Sequence, residues 1–169
     1  LELNQGGHVS HGANVSFGGK FFNVENYYVN RQTYRLDYES IRQKALEFKP
    51  KLIICGGSAY ARTIDFQQFR QIADEVGAVL LADISHPAGM AIVGAFPSPV
   101  GIADVITFTT HKTLCGPRGA VILTTDEELA QAVDMAIFPG EQGGPHVNKF
   151  AALCVAFQIA RTEGFHRLQ

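Results

Sequence analysis

The residues with the clearest chemical potential lie around Lys112, where an apolar run ends in His-Lys before a Gly-Pro-Arg-Gly turn. The β-branched and apolar residues 105–110 predict a buried strand, and the turn ends regular structure. Ligands bind outside the carboxyl ends of strands in open α/β sheets, so an amine there is a candidate for imine formation. A solvated loop lysine is the alternative that this stretch leaves open.

A carboxylate closes a second predicted strand, because Asp83 follows the apolar residues 78–82. A crossover and a parallel strand fit between Asp83 and Lys112, which would bring the acid and the amine to one edge of the sheet. Pyridoxal phosphate needs a lysine that holds its aldehyde as a Schiff base and a carboxylate that keeps its ring nitrogen charged. Asp83 and Lys112 therefore form a candidate site for this cofactor.

Helices and strands alternate along the chain at the spacing of an α/β fold. Strands are predicted at 52–55, 78–83, 105–110 and 120–124, and strand and loop at 20–29. Helices are predicted from an Asp37 cap to about Phe48, from an Asp65 cap to Gly77, from an Asp126 cap to about Ala136, and from His146 to about Thr162. The pattern favours a mostly parallel sheet covered by helices.

Composition excludes several classes of function. A formal net charge of -2 without any dense run of Lys and Arg argues against nucleic acid or an anionic membrane as a partner. The three cysteines are widely spaced, which suggests neither a disulfide framework nor a zinc motif and favours a reducing compartment. The most apolar segment, 150–160, is shorter than the ~20 residues that a membrane span needs. We therefore expect a cytoplasmic protein of about one domain.

Three glycine- or serine-containing segments leave alternatives open. His8 and His11 lie among glycines, where they could ligate a metal, form hydrogen bonds within a turn, or stack one ring on a flat cofactor. Metal is the least favoured of these, and no metal site is assigned. Ser58 follows a predicted strand, where it could contact a ligand or be an ordinary turn serine. The break at 138–145 has paired glycines able to cradle a phosphate, although a plain loop explains it as well.

Together these motifs resemble the serine hydroxymethyltransferase family. The matching segments are Gly6-Gly7-His8-Val9-Ser10-His11-Gly12, Ser58-Ala59-Tyr60, Asp83-x-x-His86, Thr109-Thr110-His111-Lys112-Thr113-Leu114-x-Gly116-Pro117-Arg118-Gly119 and Phe138-Pro139-Gly140-x-Gln142-Gly143-Gly144-Pro145. The similarity covers essentially all 169 residues. It implies the large domain of an aspartate-aminotransferase-like fold (fold-type I), with a mostly parallel sheet and helices on both faces.

The resemblance implies a role for each matching residue around the cofactor. Lys112 resembles the lysine that binds pyridoxal 5'-phosphate covalently, and Asp83 the partner of its ring nitrogen. His8 is similar to the histidine stacked on the ring. Ser58 and His86 resemble the pair near the ring hydroxyl.

Further roles follow from the same resemblance. His111 and Thr109 resemble residues that influence substrate and reaction specificity, so both are counted with the catalytic set. Gly143 and Gly144 are similar to backbone donors that reach the phosphate held by a neighbouring subunit, which implies a homodimer or higher homo-oligomer. The segment bordering the folate is implied to include Leu3, Gly7, His8 and Val9.

The implied activity is that of a glycine hydroxymethyltransferase, which moves a hydroxymethyl group reversibly between L-serine and glycine with tetrahydrofolate as cosubstrate. Two alternatives stay open: a folate-independent aldolase of β-hydroxy amino acids with the same fold, and a non-catalytic core or dimer-contact fragment. Departures from the family pattern at Pro87, Phe108 and Glu141 remove no proposed chemical group.

The chain is also expected to be a fragment. Its first residue is Leu1, not methionine, and no family-like N-terminal segment or C-terminal small domain is recognised. We expect residues 1–169 to be the central part of the cofactor-binding large domain and to be inactive alone.

Overall fold

A computed structural model describes all residues from Leu1 to Gln169. The chain divides into two compact units. Unit 1 comprises Leu1–Asp83 and Pro99–Ala103, and unit 2 comprises Ile84–Ser98 and Asp104–Gln169.

Unit 1 is built around a parallel strand pair. Strands β1 (Leu52–Gly56) and β2 (Val79–Asp83) pair with Gly56 opposite Asp83. Helix α3 (Phe66–Val76) connects them and packs on both. Its amphipathic pattern explains this packing, because the buried residues lie on one face: Phe66, Phe69, Ile72 and Ala73. The predicted strands and helix are confirmed here.

A second helix and several short turns complete unit 1. Helix α2 (Tyr38–Phe48) is capped by Asp37, as predicted, and packs against α3. The prediction of strand at 20–29 was wrong. A short helix α1 (Phe17–Phe21) covers its start, and the extended backbone that follows makes only an isolated bridge from Val29 to Leu36. The aromatic residues there favour extended backbone, but a strand also needs a neighbouring strand to pair with.

Unit 2 contains an antiparallel strand pair and five helices. Strands β3 (Val105–Thr109) and β4 (Ala120–Leu123) pair with Thr109 opposite Ala120. The helices are α4 (Ala88–Ile92), α5 (Glu127–Met135), α6 (Asn148–Ala160) and α7 (Glu163–Leu168), together with a π-helical turn at Ala136–Glu141. The core of this unit joins Leu114, Ala160 and Phe165 with Val93 and Phe108.

The α/β class is confirmed, but the prediction of a mostly parallel sheet holds only in part. The β1–β2 pair is parallel and the β3–β4 pair is antiparallel. The reason lies in the segment between β3 and β4, which contains no helix. A parallel connection needs a crossover of about a dozen residues or more, usually helical, whereas an antiparallel pair needs only a turn.

The helices of unit 2 differ from the predictions at one boundary and by one additional helix. Helix α6 begins at Asn148, two residues after the predicted start, and α7 follows as a separate element that was not predicted. Helix α6 has 13 residues, and no helix combines the length and apolar character needed to cross a bilayer.

Replacing the cap of α3 tests how this helix is held. The carboxylate of Asp65 accepts hydrogen bonds from the backbone N–H groups of Gln67 and Gln68. We expect Asp65→Ala to lower the free energy of unfolding by about 1–2 kcal/mol in urea titrations, because the two N–H groups lose their acceptor. Asp65→Asn keeps an acceptor oxygen and should cost much less. Equal losses in both variants would contradict the capping role.

Candidate active site

Lys112 and His86 lie in contact within unit 2. The Nζ of Lys112 is 3.0 Å from Nε2 of His86. The amino group of Lys112 carries N–H donors, so Lys112 donates and the imidazole nitrogen accepts. Both side chains are half-buried. Two of the residues assigned to the cofactor site are thus brought together by the turns that follow β2 and β3.

The position of Lys112 depends on the buried residue Thr110, which is only 1% exposed. The hydroxyl of Thr110 donates to the carbonyl of Pro117 at 2.5 Å, and its N–H donates to the carbonyl of Gly119 at 3.0 Å. Its own carbonyl accepts from Gly116 N–H at 2.7 Å. A Cβ on Gly116 would stand 2.7 Å from that carbonyl oxygen, so only glycine fits. The Gly-Pro-Arg-Gly turn is therefore folded back onto the end of β3.

Thr109 and His111, the residues assigned to reaction specificity, have different neighbours. Thr109 donates its N–H to Ser85 Oγ at 3.2 Å and its hydroxyl to the carbonyl of Ser85 at 3.4 Å. His111 accepts from Gly119 N–H at Nδ1, at 3.4 Å, and its Nε2 is 3.5 Å from Arg118 Nη1. Thr109 thus hydrogen-bonds to the turn before α4, and His111 hydrogen-bonds to the Gly-Pro-Arg-Gly turn at Gly119.

In unit 1, Asp83 has a partner that sequence reasoning missed. Nε2 of His11 lies 2.7 Å from Oδ2 of Asp83, and the two side chains are 7% and 17% exposed. The ring N–H therefore donates to the carboxylate and fixes its orientation. The signal in the sequence was the second histidine of the Gly-Gly-His-Val-Ser-His-Gly segment, which was considered only as a metal ligand, a turn residue or a stacking ring.

His8 is held by its neighbours in the same segment. Its Nδ1 accepts from Ser10 N–H at 3.2 Å and is 2.6 Å from Ser10 Oγ, so the side chain caps the short 3-10 helix Val9–His11. The rings of His8 and His11 are 5.5 Å apart and tilted by 59°. No group of three or more His, Cys, Asp or Glu side chains is arranged to hold a metal ion.

Ser58 is tied to the glycine segment through its backbone. Its N–H donates to the carbonyl of Gly6 at 2.8 Å, while its hydroxyl oxygen is buried without a hydrogen-bond partner. Burying a hydroxyl without a partner is costly. The Ser58 hydroxyl is therefore suited to contact a ligand.

The remaining predicted site residues are on or near the surface, apart from Gly7. Leu3 and Val9 have exposed fractions of 44% and 40%, and Gly7 between them is buried. Gly143 and Gly144 are exposed, and a Cβ on either would meet nothing within 4 Å. Nothing within this chain requires glycine at those two positions.

Two buried weak acids of unit 1 stay neutral. Burial raises the pKa of the Cys55 thiol to about 12. Burial also raises the pKa of Tyr27 well above its ordinary value, and its hydroxyl donates to the carbonyl of Ile54 at 3.1 Å. Neither group adds a negative charge to this unit at neutral pH.

The sequence profile described as serine hydroxymethyltransferase matches residues 1–169. The chain belongs to the serine hydroxymethyltransferase family. A curated serine hydroxymethyltransferase from Methanosarcina barkeri is 54% identical over 169 residues, which are 100% of this chain and 41% of that protein. The chain thus spans about two fifths of the length of this relative, and the resemblance seen in the motifs is confirmed.

The residues present in this family member suit pyridoxal phosphate. Lys112 offers an amine, Asp83 offers an oriented carboxylate, and Ser58 offers a buried hydroxyl without a partner. An amine, an anion and a hydroxyl are the groups that an aldehyde, a pyridinium nitrogen and a ring oxygen require.

The bond between His11 and Asp83 should contribute measurably to stability. Replacing His11 with alanine leaves a mostly buried carboxylate without one of its donors, so we expect the free energy of unfolding to fall by about 1–3 kcal/mol. Urea denaturation measures this change. His146→Ala, at an exposed position, is the matched control and should change stability little. If the two variants prove equally stable, the His11–Asp83 bond is not a significant stabilising contact.

Proposed function

We propose that residues 1–169 form the central part of the cofactor-binding large domain of a fold-type I serine hydroxymethyltransferase. The reaction is the reversible transfer of a hydroxymethyl group between L-serine and glycine, with tetrahydrofolate as carrier. The observation that carries the proposal is the Lys112 amine, held 3.0 Å from His86 by a turn that Thr110 locks in place. Family membership of the whole chain supports it. No observation favours a folate-independent aldolase.

Lys112 is the proposed attachment point for pyridoxal phosphate, which when bound supplies an aldehyde for the lysine and a ring that withdraws electrons from the substrate α-carbon. Its Nζ hydrogen-bonds to Nε2 of His86, which restrains the amine near one position. A restrained amine would lose less conformational entropy on holding the cofactor's aldehyde. His86 therefore acts as an orienting acceptor for the lysine.

Asp83 is proposed to face the ring nitrogen of the cofactor. His11 donates to Oδ2 and so orients the carboxylate. The neutral state of Cys55 avoids repulsion of this charge. Ser58 and His8 are assigned to the same cofactor, as a hydroxyl contact and a ring facing the cofactor plane.

The folate and subunit contacts are assigned to segments that carry exposed apolar side chains. The folate segment comprises Leu3, Gly7, His8 and Val9, and its exposed apolar side chains suit a flat heteroaromatic molecule.

Helix α6 buries only Ala156 and Ala160 and exposes four large apolar side chains: Phe150, Val155, Phe157 and Ile159. Such a surface suits a homodimer, in which Gly143 and Gly144 would serve the neighbouring subunit's cofactor. A cytoplasmic location is part of the same proposal.

The charge of Asp83 should matter more for turnover than for binding. Asp83→Asn keeps the size of the side chain but removes its negative charge, so the ring nitrogen loses the ion that keeps it protonated. In the full-length protein we expect kcat to fall by about 100-fold or more, the order of magnitude for losing one electrostatic group. The dissociation constant of pyridoxal phosphate should change much less. Near-normal turnover in this variant would contradict the role.

Reductive trapping tests the assignment of Lys112. After the full-length protein is loaded with pyridoxal phosphate and treated with borohydride, mass spectrometry should find the phosphopyridoxyl group on Lys112. Lys112→Arg should lose the label, while Lys149→Arg, at a partly exposed position on α6, should retain it. A label on another lysine would refute the assignment. Dependence of serine cleavage on tetrahydrofolate separates this activity from an aldolase.

A further inference from the structure

We infer that Gln169 is a positioning residue for Lys112, acting through the backbone of Thr113; this rests on the proposed role of Lys112. Nε2 of Gln169 donates to the carbonyl of Thr113 at 2.8 Å. Thr113 directly follows Lys112 in the chain. A restraint on its carbonyl therefore limits the backbone rotations that move the lysine.

Thr113 joins the two turns that carry the contact between lysine and histidine. Its hydroxyl donates to the carbonyl of His86 at 2.6 Å and accepts from Gly89 N–H at 3.0 Å. Lys112 Nζ meets the ring of the same His86. Thr113 thus links the backbone of His86 to Lys112. Gln169, which belongs to neither turn, hydrogen-bonds to Thr113.

The surroundings of the Thr113 carbonyl leave little freedom. A Cβ on Gly89 would collide with this carbonyl oxygen and stand 2.7 Å from Oε1 of Gln169. Glycine is therefore needed where the two turns and the Gln169 amide meet. This close fit indicates that the Gln169 side-chain amide is packed against Gly89 and the Thr113 carbonyl and is more than a surface contact.

Helix α7 brings Gln169 to this position. Phe165 is 2% exposed and packs with Leu114 and Ala160, so the helix is anchored on the residue that follows Thr113. Thr162 caps the helix by accepting from Phe165 N–H at 3.3 Å, and Gln169 N–H donates to the Phe165 carbonyl at 3.3 Å. Helix α7 therefore restrains the two residues that follow Lys112. Leu114 is held by an apolar contact, and Thr113 is held by an amide hydrogen bond.

The test replaces the donor without changing the size of the side chain. Gln169→Glu puts a carboxylate oxygen where the amide N–H donates to Thr113, and Gln71→Glu makes the same change at an exposed position of α3. In the full-length protein, hydrogen exchange of the Cys115 amide, which bonds to the Lys112 carbonyl, should be roughly three- to tenfold faster in Gln169→Glu than in the control. The kcat for serine should fall by a similar factor, with KM nearly unchanged.

Gly89→Ala puts a Cβ against the same carbonyl oxygen and should reproduce both effects. The inference is overturned if Gln169→Glu matches the Gln71→Glu control in exchange and in kcat, or if exchange rises uniformly across the protein, which would indicate a general loss of stability. Borohydride trapping in the parent and in Gln169→Glu separates the two proposals. Labelling at a lysine other than Lys112 refutes the proposed function, whereas labelling at Lys112 with unchanged exchange and kcat refutes only the role of Gln169.

Discussion

The buried hydrogen bonds of Thr110 are the constraint on which the lysine end of the site depends. Its hydroxyl, N–H and carbonyl groups all bond to the turn that follows Lys112, and the residue is 1% exposed. Each of these polar groups would be costly to bury unpaired, so they are satisfied only when the turn folds back. Gly116 allows the close approach, and Lys112 is left projecting from a short, closed loop. The flexible side chain of Lys112 is thus attached to a backbone that hydrogen bonds hold in place.

A similar principle governs the carboxylate in the first unit. Asp83 closes β2, where the adjacent strand ends at Gly56, and His11 donates to it from a 3-10 turn distant in the chain. A mostly buried carboxylate is tolerated only with such partners. The Cys55 thiol is kept neutral by burial, so it adds no charge that competes with that of Asp83.

Local signals in the sequence were sufficient for most elements but not for the contacts between distant residues. The aspartate caps of α2, α3 and α5 are predictable because a cap depends on a few consecutive residues. The antiparallel pairing of β4 was not predicted, since strand direction depends on the short turn at 110–119. The partner of Asp83 was missed because His8 and His11 look equivalent in sequence, and only the fold determines which one reaches the carboxylate. Gln169 gave no signal, because its amide matters only where α7 docks.

We propose that Lys112 and Asp83 bind the same cofactor, at its aldehyde and at its ring nitrogen. A crystal structure of the full-length protein grown with pyridoxal phosphate tests this directly. We predict continuous density between Nζ of Lys112 and the aldehyde carbon, with a carboxylate oxygen of Asp83 about 3 Å from the ring nitrogen. A cofactor bound at another lysine, or a ring nitrogen paired with a group other than Asp83, would contradict it.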